Sequence, residues 1–162
     1  MTEAHALPER SQIVQQHLDA AGIASRVREL PESTRTAADA ASALDCEVGA
    51  IASSLVFIAD DQPILVMTSG RHRVDITVLA RQLGAQSVAM APAKVVRNVT
   101  GQAIGGVSPV GHPAQLRTLV DDALRDYATI WAAGGTPHTV FPLTFNDLLA
   151  ITNGISISVA DN

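Results

Sequence analysis

The sequence predicts an α/β protein of the mixed α+β kind: a curved mixed β-sheet, or a barrel-like core, surrounded by helices. Three observations point there. Segments of helical and of strand period alternate along 162 residues, a length that suits one domain. Apolar residues make up 47% of the chain and charged residues 17%, which supplies a buried core and excludes disorder as the main state. The strands also follow one another too closely for the helix-length crossovers of a doubly wound sheet. No repeat, low-complexity linker or internal boundary divides the chain. Residues 1–162 therefore read as a single domain, with 1–10 as a loose tail.

The first helix is expected over 11–21, where Ile13, Val14, His17, Leu18 and Ala21 share a face, with Ser11 as cap and Gly22 as stop. A short strand over 26–30 ends at Pro31. Residues 36–44 form a second helix with Ala37, Ala40, Ala41 and Leu44 inward. Apolar runs at 54–59 and 64–68, joined by Asp60-Asp61-Gln62-Pro63, read as a hairpin. Helical period returns over 75–83 through Ile76, Leu79, Ala80 and Leu83, and Gly84 stops it. Strand 87–90 and a short helix over 92–99 follow, the helix ended by Gly101. Residues 102–104 read as strand and lead into Gly105-Gly106-Val107-Ser108-Pro109-Val110-Gly111. Extended segments at 116–120, 129–132 and 139–141 come next, the last two flanking Gly134-Gly135. Thr144 and Asp147 form a capping box, with Asp in place of Glu, for a helix to 152. Serine alternation over 155–159 predicts an edge strand.

Charge limits the partners. Sixteen Asp and Glu against eleven Lys and Arg give a net charge of −5, and Lys94 is the only lysine. A protein that grips duplex DNA through its phosphates carries a basic stripe, and none is visible. A nucleic-acid end recognised in a pocket stays open. No apolar run approaches the length of a membrane span, and the N-terminus lacks the pattern of an export signal, so the expected location is the cytoplasm. Cys46 is the only cysteine, which excludes an internal disulfide and a cysteine zinc cluster.

The glycine-rich stretch carries the most chemical information. Three glycines and a proline in seven residues specify an unusual backbone path, either a structural turn or a cradle of N–H groups for an oxyanion or phosphate. Ser108 is not a nucleophile elbow, and Pro109 behind it has no N–H to give. His112 reads as a surface histidine or as a base, the former preferred. Cys46 lies between Asp45 and Glu47, whose charges raise a thiol pKa. The histidines at 5, 17, 72, 112 and 138 lack metal-ligand spacing, so no metal or other cofactor is expected. Arg71 and Arg73 make the densest basic spot, a phosphate contact or a solvated turn. The Gly134-Gly135 turn offers a second pocket wall, with Trp131 nearby read as core.

In this order, the stretches 36–41, 51–57, 69–75, 100–111 and 130–135 resemble the YbaK/EbsC family of free-standing aminoacyl-tRNA deacylases. These are related to the editing domain of bacterial prolyl-tRNA synthetase. The resemblance spans residues 11–153 and implies a barrel-like mixed sheet with outer helices. It implies hydrolysis of the ester between a wrong amino acid and a tRNA 3′ end. Gly105, Gly106, Val107, Ser108 and Pro109 would present amides to the ester carbonyl, while a substrate ribose hydroxyl helps activate water. It places Ser53 and Ser54 at the tRNA-end side and Arg71, Arg73, Gly111, His112, Ala133, Gly134 and Gly135 around the substrate. Members often carry a lysine where Ser53 stands and a serine where Ala133 stands. Either Arg71 or Arg73 is then expected to stand in for that lysine, or deacylation is expected to be weak or lost. The implied partners are a tRNA 3′ aminoacyl end and prolyl-tRNA synthetase. The alternative is a non-catalytic module binding a nucleotide, an aminoacyl-adenylate-like ligand or a protein.

Overall fold

Short polar side chains decide where three of the helices begin. Residues 6–160 are described by a computed structural model, with five helices and one eight-stranded sheet among them. In α2 (Ala37–Leu44), the Thr36 hydroxyl accepts the Asp39 N–H at 3.0 Å. Asp75 caps α3 (Ile76–Leu83) by accepting from the Thr77 and Val78 amides, and Thr144 caps α5 (Phe145–Thr152) through Asp147. Each satisfies a donor that the first helical turn leaves unpaired. Two helices begin without such a bond, α1 (Glu9–Ala20) after Pro8 and α4 (Ala93–Thr100) after Pro92.

The strands are β1 (Arg28–Glu29), β2 (Ile51–Ala59), β3 (Gln62–Ser69), β4 (Val88–Met90), β5 (Arg117–Asp121), β6 (Ile130–Ala133), β7 (Thr139–Leu143) and β8 (Ile155–Ile157). Their order is β1-β7-β6-β2-β3-β5-β8, with β4 paired to β2 off this path. The sheet is mixed, as expected: β2 and β6, β3 and β5, and β5 and β8 run parallel, the other pairs antiparallel. The β2–β3 hairpin turns at Asp60 and Asp61, both at positive φ, which matches the twist of a two-residue connection.

Alternation along the central strands splits the core in two. Leu65, Met67, Val56 and Val120 face a layer filled by Val14 and Leu18 of α1 and by Phe145 and Leu148 of α5. Phe57, Ile64, Val66 and Leu119 face the opposite side, with Leu79 of α3 and Val159. A smaller cluster seats Ala40 and Ala41 of α2 on Ile51, with Trp131 at its margin.

Three local expectations need correction. Ser11 is not the cap of α1: the helix starts at Glu9, and Ser11 is buried, its hydroxyl donating to Thr139 Oγ1 at 3.0 Å. The loose tail thus gives way to helix at Glu9 and Arg10, and residues 1–5 lie outside the described residues. Residues 102–104 are not a strand, because Gln102 turns its side chain into the loop that follows. The short 3₁₀ turns Val48–Ala50 and Asp122–Asp126 carry no signal in the sequence.

Candidate functional site

An interruption in sheet pairing opens the site. One edge of β2 is paired with β3 from Ala52 to Ala59. The other meets β6 at Ile51 and Ala52 and β4 at Phe57 to Ala59, so Ser53, Ser54 and Leu55 pair with β3 alone. A cavity of about 420 Å³ fills the gap. Its walls come from the start of α2, from Met90 and Val96, from Ile104, Gly105 and Val107 of the glycine loop, and from Trp131 and Ala133 of β6. The lining is chiefly apolar and, among the described residues, includes no Asp or Glu. Arg35 is the one charged side chain lining it, among the described residues.

Packing and a buried amide side chain shape the glycine loop. Gly105 has φ +92°, a conformation that side chains rarely adopt. A Cβ on Gly106 would lie 2.4 Å from the Thr136 carbonyl carbon, so the two glycine turns can cross only where a side chain is missing. Gln102, 3% exposed, accepts the Ser108 N–H through Oε1 at 2.6 Å. The Ser108 hydroxyl donates to the Val110 carbonyl at 2.7 Å and accepts the Val110 N–H at 3.0 Å. His112 Nε2 donates to the Ser108 carbonyl at 2.8 Å. Burial pushes the His112 pKa below its ordinary value; the Ser108 bond opposes this and the nearby His17 adds to it.

The loop nitrogens therefore fall into two groups. Those of Gly106 and Ser108 are committed, to the Ala103 carbonyl at 3.0 Å and to Gln102. Those of Gly105 and Val107, both cavity-lining residues, have no acceptor among the described residues. Val107 is 3% exposed, and a buried amide without a partner is unusual.

Of the other sequence-derived positions, Ser53, Ser54 and Ala133 line the same cavity, and the Ser54 hydroxyl donates to Met67 Sδ at 3.1 Å. Pro109, Gly111 and His112 instead line a second cavity of about 270 Å³ behind the loop, together with His17. His112 is thus a partly buried prop and not a surface histidine. Gly134 and Gly135 are buried behind the cavity wall, Gly134 beside Val27 and Thr139, Gly135 against Arg10 of α1. Trp131, half-buried against the Ala40, Ala41 and Ile51 cluster, also forms a cavity wall, and Arg28 lies 5.0 Å from its ring centroid.

Arg71 and Arg73 do not line the cavity. Arg71 pairs with Asp126 at 2.7 Å and donates to the Tyr127 hydroxyl at 3.2 Å, which spends its guanidinium on the surface. Arg35, Gln102 and Trp131 are the site residues that sequence reasoning missed. The caps around Thr36 place α2, but nothing local says that the residue before that cap faces the glycine loop.

Two other groups of reactive residue types belong to the scaffold. Asp121, fully buried, accepts from the Ser69 and Ala123 amides and sits 2.9 Å from His72 Nδ1. Ser69 completes a set of serine, histidine and aspartate, yet its hydroxyl is buried and donates to the Gly49 carbonyl at 2.7 Å. Burial first, then Asp45 and Glu47, raise the Cys46 pKa, which keeps the thiol protonated. Among the described residues no three His, Cys, Asp or Glu side chains gather as a metal site.

The family model of the aminoacyl-tRNA editing domain matches residues 31–151, which include every wall of the 420 Å³ cavity named above. The chain belongs to this family. A crystal structure of a candidate trans-editing enzyme for prolyl-tRNA synthetase superposes with a TM-score of 0.90 at 40% identity, covering 97% of this chain and 100% of that one. Proline–tRNA ligase of Leuconostoc mesenteroides is 32% identical over 121 residues, covering 72% of this chain and 21% of the ligase. YwhH of Bacillus subtilis, described as uncharacterized, is 29% identical over 123 residues, 75% of this chain and 78% of YwhH. The editing-domain chain thus spans about a fifth of the length of the Leuconostoc ligase. No helix among the described residues is long and apolar enough to cross a membrane.

Proposed function

We propose that this editing domain acts in trans as an aminoacyl-tRNA deacylase, hydrolysing the ester that joins a wrongly attached small amino acid to a tRNA 3′ end. One observation supports the reading: the Gly105 and Val107 N–H groups have no acceptor among the described residues, and both residues line an apolar cavity. Attack of water on an ester carbonyl builds negative charge on its oxygen. Two N–H donors held in a poorly solvated site stabilise that charge, each by about 2.7–4 kcal/mol. The C–O bond to the ribose then breaks, giving a free amino acid and an intact tRNA hydroxyl. Among the described residues the cavity wall supplies no carboxylate, histidine or cysteine to act as base or nucleophile. Water activation therefore falls to a ribose hydroxyl of the substrate, as in the family the sequence resembles.

The apolar walls admit a small side chain and exclude a bulky one, the sieve logic of editing. With a net charge of −5 the domain binds tRNA weakly, and docking on prolyl-tRNA synthetase would compensate. The test is a panel of mischarged tRNAs with an active relative as control. Turnover of at least one small-amino-acid ester is expected; none at all, while the control works, removes the proposal.

Ser53 favours a second reading, a binding module that has lost hydrolysis, because a serine brings no charge where relatives often carry lysine. Ser53→Lys separates the two. A large gain in hydrolysis identifies a weakened enzyme; no gain favours a binding module where the parent is inactive and another phosphate contact where it is active.

A further inference from the structure

Resting on the deacylase reading, we infer that Arg35 is the phosphate-binding residue of the cavity, holding the phosphate of the nucleotide that carries the ester. Arg35 is exposed, and among the described residues its guanidinium has no ion pair or hydrogen bond. Its aliphatic stem lies against Gly105: a Cβ there would sit 2.5 Å from Arg35 Cγ. A cation is thus built onto the glycine whose own N–H is free.

The backbone beneath it is pinned. Thr34 donates to the Pro137 carbonyl through both its N–H and its hydroxyl, Ser33 accepts the Arg35 N–H at 3.3 Å, and Thr36 caps α2. The segment is therefore tied to the second glycine turn, and the charge swings only on its own side chain.

A lone arginine beside a cavity without acids, on a protein of net charge −5, favours an anionic ligand. The flat guanidinium fork suits phosphate, and a charge-assisted bond is about twice as strong as the neutral bond Ser53 offers. Arg35 thereby takes the part left open by Arg71, which pairs with Asp126, and by Arg73, which does not line the cavity. Its contact is made equally before and during ester cleavage, so its loss raises KM and leaves kcat nearly unchanged.

The test uses the full chain and two non-hydrolysable probes, an amide-linked alanyl-adenosine with and without a 5′-phosphate. Binding is read by calorimetry and by Trp131 fluorescence. Wild type is expected to prefer the phosphorylated probe by roughly tenfold, Arg35→Ala and Arg35→Gln to abolish the preference, and Arg35→Lys to keep part of it. Arg26→Ala, a change at an exposed pair with Asp19, serves as control. A preference that survives in Arg35→Ala overturns the inference, as does its absence in wild type or failure to bind either probe. Phosphate preference lost in Arg35→Ala, beside a mischarged-tRNA panel with no turnover, removes the deacylase reading and leaves the anion contact standing.

Discussion

Gly106 shows how a single missing methyl group positions the site. Its Cα faces the Thr136–Pro137 backbone so closely that even alanine has no room, and backbone atoms do not move aside as a flexible side chain would. Gly106→Ala is therefore expected to cost about 1–3 kcal/mol or more, lowering Tm by several degrees. It also shifts the amides of Gly105 and Val107. A thermal melt that matches wild type contradicts this packing account. At the same scale lie the residues that sequence reasoning misplaced. Arg71 looks available until Asp126, 55 residues away, takes its guanidinium. Arg35 looks like any surface arginine until the fold lays it on Gly105. Both errors come from contacts distant in sequence, which composition and spacing do not encode.

Elements whose determinants are local were readable. The Thr144 cap is legible because a cap needs only its own first turn. The helices over 36–44 and 75–83 are placed to within one residue, their first positions being the caps Thr36 and Asp75. The β2–β3 hairpin follows from its acidic turn. The glycine loop is legible as a special backbone, but its support is not: Gln102 reads as strand because its side chain's destination, the Ser108 N–H, is a property of the folded loop. His112 supports the same loop from behind and yields a pH prediction. Burial holds its pKa below the ordinary 6.5, with His17 acting in the same direction. The unfolded chain thus takes up a proton first as pH falls. The contribution is complete above about pH 6.5 and is lost progressively below it, down to the lowered folded value. Wild type is therefore expected to lose Tm between pH 7 and roughly 5.5 more steeply than His112→Gln, whose amide can still donate to Ser108. Parallel Tm profiles for the two proteins contradict the assignment.

At the scale of the molecule, the mixed sheet with outer helices followed from the order and spacing of periodic segments. The cavity did not, because it arises where β4 and β6 share one edge of β2 and leave Ser53 to Leu55 unpaired between them. Sheet order is a long-range outcome, and the same strands in another order would bury that gap. Global charge gives a further prediction. With Arg35 as the one cation lining the cavity among the described residues, deacylation should depend only weakly on salt. Raising salt from about 50 to 200 mM is expected to raise KM two- to threefold, the response of roughly one phosphate contact, and Arg35→Ala should flatten it. A rise well beyond tenfold points to several basic contacts elsewhere on the surface.

The proposed hydrolysis depends on main-chain donors acting at the ester oxygen. Replacing Val107 by the matching α-hydroxy acid removes its N–H and keeps its side chain, so the chemistry is probed without a change of packing. On a mischarged tRNA that the parent hydrolyses, kcat should fall by about 10²–10³ while KM and the melting curve stay near those of the parent. An unchanged kcat in a folded ester variant would show that the Val107 amide takes no part in the chemistry.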